Sequence, residues 1–244
     1  MRKDGRKNDE LRPVKIMPGF VEMAAGSALV EMGRTRVVCT ASAEDRLPPW
    51  LHQAQLKSPD KQGWITAEYS ILPGAGPRRT AREATTGKRS GRTLEIQRLI
   101  GRSLRSVADL KKLGPRTVWI DCDVIQADGG TRAAAVTGGF VALMSALNSL
   151  KEDGVITELP IREHLAAVSA GIRDGEVLLD LDYEEDSAVD VDCNVVMTES
   201  GELIEVQGTG EKRGFSREQL TQMLDAAGRA IRELIVFQKE ALSL

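Results

Sequence analysis

The stretch Thr131–Leu150 constrains the chain more than any other. It is apolar nearly all round and rich in Ala and Gly. A helix with no polar face has to be covered on every side, and small residues let a sheet approach its backbone closely. The segment therefore predicts a central helix buried against a sheet. A chain of 244 residues can build that core within one large domain, with two intimately packed lobes at roughly 1–150 and 160–244. The hydrophobic fraction is 41% but only 4% is aromatic, so the core is expected to be aliphatic. No stretch of eighteen or more apolar residues is read, and no membrane-spanning helix is expected. The charged N-terminus lacks the apolar centre of a secretory signal.

Around that helix the patterning switches between periods. Ala28–Glu31 and Thr35–Ala43 read as strands with Gly33 at their turn. Pro, Gln and Lys make 47–63 a loop, and Pro73–Pro77 is another. Ile96, Leu99, Ile100, Leu104, Val107 and Leu110 recur at helical spacing and predict a helix over 90–113. Arg98, Arg102 and Arg105 line another face of it. Thr117–Ile125 alternates as a strand, with Ile120, Cys122 and Val124 on one side and Asp121 and Asp123 on the other. Leu165–Ile172 and Glu176–Asp182 read as strands turning at Asp174-Gly175. Val189–Thr198 and Glu202–Gln207 turn at Ser200-Gly201. Ser216 caps a last helix, with Gln219 placed for a capping box. The expected class is α/β (α+β), with mixed strand directions and packed helices in two lobes.

The net charge of −3 hides an asymmetry. Arg78–Arg116 holds twelve Lys and Arg against three Asp and Glu, whereas Asp174–Glu211 holds thirteen acids and no base. A basic segment suits a polyanion, and an acidic one suits a metal ion or acid–base work. The plainer alternative is two solvated faces that pair with each other. Cys39, Cys122 and Cys193 lie far apart in apolar runs and read as buried thiols of a reducing, cytoplasmic setting. With only His52 and His164, a zinc site or a histidine-based triad is not expected.

Three short segments carry chemistry. Asp128-Gly129-Gly130-Thr131-Arg132 joins a strand to a helix. Two glycines let backbone approach a ligand, the first helical turn favours an anion, and Thr131 and Arg132 add donors suited to phosphate. Ser90-Gly91-Arg92-Thr93 opens another helix, so Arg92 and Arg132 could grip one phosphate between two helix N-termini. In the acidic segment Asp180, Asp182, Asp186, Asp190 and Asp192 crowd together. Asp190, Asp192 and Asn194 share one strand face, opposite Val189, Val191, Cys193 and Val195. Carboxylates so placed call for a proton or a cation, and magnesium beside a phosphate fits. An ordinary glycine turn and a polar sheet face are the bland readings of the first and third.

Six runs resemble, in order, the signature blocks of the ribonuclease PH family: LVEMGRTRVVCTAS, GWITAEYSILP, SGRTLEIQRLIGRSLR, IDCDVIQADGGTRAAAVTG, LLDLDYEEDSAVDVDCNVVMT and IEVQGTGE. The resemblance implies a βαβα fold of the ribonuclease PH type. It implies a phosphate-dependent 3′→5′ exoribonuclease that trims precursor tRNA and other RNA 3′ ends, releases nucleoside diphosphates and can run backwards. Magnesium or another divalent cation, inorganic phosphate as co-substrate, and a homohexamer built as a trimer of dimers come with it. Arg92, Gly130, Thr131 and Arg132 match the family's phosphate-binding residues. Asp186 and Asp192 match its metal-binding and catalytic acids, without saying which is the proton donor. Arg79 and Arg82 match basic residues that touch RNA. The chain departs from the family in a longer 51–63 loop, in Gly74 where arginine is frequent, and in Gly210 where alanine is usual. A catalytically silent ring subunit and a hydrolytic nuclease of the same fold are the competing readings, both disfavoured by the intact arginines and aspartates.

Overall fold

The computed structural model describes residues 2–56 and 61–244. The chain opens with an antiparallel meander: β1 (Val14–Pro18), β2 (Gly26–Met32) and β3 (Thr35–Glu44). Helix α1 (Pro49–Gln55) precedes β4 (Trp64–Ile71). Three helices follow, α2 (Glu83–Thr86), α3 (Gly91–Ser106) and α4 (Leu110–Leu113), and lead to β5 (Thr117–Gln126) and α5 (Thr131–Glu152). The chain goes on through β6 (Leu165–Arg173), β7 (Glu176–Leu179), α6 (Tyr183–Asp186), β8 (Val191–Thr198), β9 (Leu203–Gly210) and α7 (Arg217–Ala241).

The first sheet runs β1-β2-β3-β5-β4 and the second β7-β6-β8-β9. Strand directions mix only in the first sheet, where β4 and β5 are parallel; the second is antiparallel throughout. Connection length explains the difference. The β4–β5 crossover has room for three helices, whereas tight turns join β6 to β7 and β8 to β9. In the first of these, Asp174 and Gly175 both adopt positive φ, the backbone that a two-residue hairpin needs.

Helix α5 is the central layer. On one side a Cβ at Gly26 would collide with the Ala142 carbonyl, and one at Gly138 with Val30 and Cys39. On the other, Thr137 exchanges hydrogen bonds with Ala167 of β6, and the buried Gln238 of α7 donates to Thr137 and Leu165 carbonyls at 3.0 Å each. One apolar cluster runs through both sheets. By length and a mean hydropathy of 1.5, α5 alone would pass as a membrane span, contrary to the sequence reading, but 78% of that window is buried inside the protein.

Several boundaries differ from the expectations. The 47–63 segment contains α1, which Pro49 starts at a position where a missing N–H costs nothing. Trp50 meets Trp64 edge-on at 5.0 Å, and Arg105 lies 4.3 Å over the Trp64 ring. Part of that long loop, 57–60, lies outside the described residues. The helix expected over 90–113 breaks after Ser106, because Asp109 accepts the amides of Lys111 and Lys112 and starts α4. Of the arginine face, Arg98 is exposed, Arg102 pairs with Glu205, and Arg105 donates to the Ile65 carbonyl. All three cysteines are free and buried.

Candidate active site

One cleft of about 870 Å³ lies where the N-terminal ends of α3 and α5 face the second sheet. On its basic side the chain passes from β5 to α5 through Gly129 and Gly130, at φ 76° and 65°. Gly129 packs so tightly on the Leu181 carbonyl and the Asp182 backbone that no Cβ would fit. The first intrahelical bond runs from the Ala134 amide to Gly130, which leaves the amides before it as outward donors. Arg132 reaches the cleft and donates to Gln207 at 2.8 Å, with Glu95 at 3.4 Å. Gln207 in turn donates to Glu95 at 2.9 Å. Arg92 enters the cleft from the first turn of α3, which Ser90 caps by accepting the Thr93 amide.

On the acidic side Asp186 ends α6. That four-residue helix is held by a capping box between Asp182 and Glu185. Asp192 is the second residue of β8, flanked by Asn194, whose Nδ2 lies 3.3 and 3.4 Å from its carboxylate oxygens. Burial raises the Asp186 carboxyl above its ordinary value, against the pull of Arg92 and Arg132. Burial, then the charge of Asp186, pushes Asp192 up to about 6. Asp186 stands at the solvent-facing rim of the cleft and Asp192 is half-buried; the charge of the first opposes ionisation of the second, as expected of a place that accepts a cation or shares a proton. Glu211 adds a third negative charge to the field of both.

The structure thus brings Arg92, Arg132, Asp186 and Asp192 together and keeps other candidates apart. Gly130 and Thr131 shape the start of α5 beneath the cleft. Thr131 is buried, and its hydroxyl accepts from Tyr69 at 2.8 Å instead of bordering the cleft. Asp190 turns away to Arg213 at 3.1 Å, so the expected three-residue acidic face is in fact Asp192 and Asn194. Arg79 and Arg82 are exposed on the segment before α2, outside the cleft lining. Of the two charged segments, Arg102 and Glu205 do pair with each other; within the cleft, Arg132 is ion-paired with Glu95. Glu95, Gln207, Glu211 and Lys212 also line the cleft. Sequence reasoning passed over them because only folding brings Gln207 of β9 against Glu95 of α3 and sets Glu211 and Lys212 beside the segment between α6 and β8.

Comparison with known proteins supplies the name of this arrangement. Models of the 3′ exoribonuclease family match twice, domain 1 over residues 10–147 and domain 2 over 165–230. The ribonuclease PH of Moorella thermoacetica is 57% identical over 242 residues, covering 99% of this chain and 94% of that protein. The chain belongs to the ribonuclease PH family. The ribonuclease PH of Bacillus pumilus is 55% identical over 240 residues, covering 98% of this chain and 97% of that one. Among solved structures, an Archaeoglobus fulgidus exosome with RNA bound to the active site aligns at TM-score 0.78 and 26% identity, covering 96% of this chain and 91% of that one. Rice Rrp46, at 20% identity and TM-score 0.77, covers 99% of this chain and all of that one, and shares the fold. As a ribonuclease PH, the chain is a phosphorolytic exoribonuclease that processes tRNA 3′ ends.

Proposed function

We propose that phosphorolysis takes place in this cleft, with Arg92 and Arg132 holding the attacking phosphate and Asp186 and Asp192 facing the scissile one. The observation that carries this is the meeting of two arginines at two helix N-termini with two carboxylates in a single cleft. Phosphate and phosphodiester are both anions, so their approach has to be neutralised before it can be oriented. Arg92 and Arg132 do this with planar forks, and the outward amides of the first turn of α5, held by Gly130 and Thr131, add to the same field. A phosphate oxygen attacks the terminal phosphodiester phosphorus, and the bond to the 3′ oxygen of the preceding nucleotide breaks. That oxygen takes up a proton, and the terminal nucleotide leaves as a diphosphate. Asp192, titrating near 6, can hold such a proton on its carboxyl.

Among the described residues no cluster of three or more His, Cys, Asp or Glu side chains could hold a metal ion by itself. The hard oxygens of Asp186 and Asp192 nonetheless suit magnesium, which commonly takes one or two carboxylates and completes its shell with water and substrate phosphate. Bound there, magnesium supplies charge neutralisation at the scissile phosphate. We further place the RNA track along Arg79 and Arg82 and the assembly as a hexameric ring, a trimer of dimers. The buried thiols suit a reducing cytoplasm.

The test is product analysis on end-labelled precursor tRNA, with and without inorganic phosphate. Nucleoside diphosphates formed only with phosphate support the reading. Monophosphates would make the chain a hydrolase, and no product a silent ring subunit.

A further inference from the structure

Arg12 is 4% exposed and does not line the cleft, yet it bridges the two sides of it from beneath. Its Nε and Nη2 grip the carboxylate of Asp180 at 3.0 and 2.7 Å, and its own amide donates to the same carboxylate at 2.8 Å. Its Nη1 donates to the Asp128 carbonyl at 2.5 Å, and Nη2 reaches the Gly129 carbonyl at 3.5 Å. One guanidinium therefore holds the glycine loop that starts α5 and the acidic segment that leads to Asp186.

The surroundings are cut to this side chain. A Cβ at Gly33 or Gly130 would press on Arg12 itself. Asp180 is fully buried in the left-handed region, at φ 50°, a conformation few non-glycine residues hold without being over-determined. Its carbonyl accepts from Arg2 at 3.0 Å and Arg6 at 3.2 Å. Arg2 also grips Glu185, the residue before Asp186, through two bonds of 2.7 and 2.6 Å. Thr35 secures the far side of the loop, donating to the Gly129 carbonyl at 2.6 Å. In a trans peptide the N–H points opposite to its C=O, so fixing the carbonyls of Asp128 and Gly129 also fixes the amides of Gly129 and Gly130.

We propose that Arg12 and Asp180 form a positioning pair that sets the register of the phosphate loop against the catalytic carboxylates. The inference rests on the phosphate assignment above. Neither residue touches substrate; the pair acts by holding Arg132 and Asp186 at a working separation. A misplacement of about 1 Å can cost a hundredfold in rate, so a slackened link is felt first in phosphate use.

The test compares steady-state constants for phosphate and for RNA in the full-length enzyme. Arg12→Lys keeps a charge for Asp180 but cannot also serve the loop carbonyls. Its phosphate KM is expected to rise roughly tenfold or more, with RNA KM and assembly unchanged. Asp180→Asn, nearly isosteric, slackens the same link from the other end. The double variant should be no worse than the weaker single one, since both break one connection. Unchanged phosphate KM in a folded Arg12→Lys or Asp180→Asn enzyme would overturn the proposal, as would an equal rise of both KM values together with a fall in melting temperature. Arg132→Lys separates the two levels. If it raises phosphate KM while the Arg12 and Asp180 variants do not, only the positioning role fails. If it too leaves phosphate KM unchanged, the phosphate assignment itself is wrong.

Discussion

In the proposed mechanism one carboxyl, Asp192, meets two demands, to hold a proton and to face a cation. Asp192→Asn keeps shape and hydrogen bonding but removes the charge. Turnover is expected to fall about a hundredfold or more, in line with loss of one strong electrostatic stabiliser. Phosphate-driven trimming and diphosphate-driven addition should slow together, because they share a transition state; sedimentation and RNA affinity should stay normal. A folded variant that trimmed RNA at the parent rate would remove Asp192 from the chemistry. The raised titration point has a second consequence. A cation needs the carboxylate, so its binding displaces a proton wherever Asp192 is protonated. Magnesium affinity measured by calorimetry should rise with pH up to about 6 and level off above it, and Asp192→Asn should flatten that rise. The sign for stability is opposite. A carboxyl raised on folding stabilises the fold below its unfolded value, 3.8, and loses that contribution as pH climbs through about 6. The metal-free protein should therefore melt progressively lower across that window, and added magnesium should restore the loss above it.

At the scale of elements, α5 owes its place to what its neighbours lack. Gly26 of β2 faces the Ala142 carbonyl and Ala146 amide, which belong to backbone and cannot swing aside. Gly26→Ala should destabilise by about 1–3 kcal/mol, the usual cost of overpacking, seen as a lower denaturation midpoint with an unchanged slope; an unchanged midpoint would mean that α5 floats. This helix, the hairpins and the capping box of α7 were legible in the sequence, because each is written in local periodicity and turn chemistry. Helix α1 was not, since its prolines read as loop although Pro49 suits a first helical position. Helix α6 was missed because a single capped turn has no period to detect. In the site, Arg92, Arg132, Asp186 and Asp192 could be named from the resemblance. The inward turn of Thr131 and the pairing of Asp190 with Arg213 depend on packing. Arg12 and Asp180 lie 168 positions apart, and no local pattern links them.

For the whole molecule, the exposed pair Arg79 and Arg82 lies outside the cleft lining and belongs to the proposed RNA track. Replacing both with alanine should raise KM for tRNA while leaving phosphate KM alone. The dependence of log affinity on log salt should flatten by roughly 0.7 per lost contact on a single strand; an unaltered slope would put the RNA track elsewhere. A single apolar cluster through both sheets also predicts one unfolding transition by fluorescence and circular dichroism alike. The same central helix matters before the molecule is finished. As the chain leaves the ribosome, α5 emerges with one sheet already made and the other not yet synthesised. Until β6 and β8 arrive to cover it, the nascent protein carries a segment apolar enough to be taken for a membrane span. In that interval the apolar segment has only the first sheet to cover it, and the risk of aggregation lasts until the strands of the second sheet have also emerged.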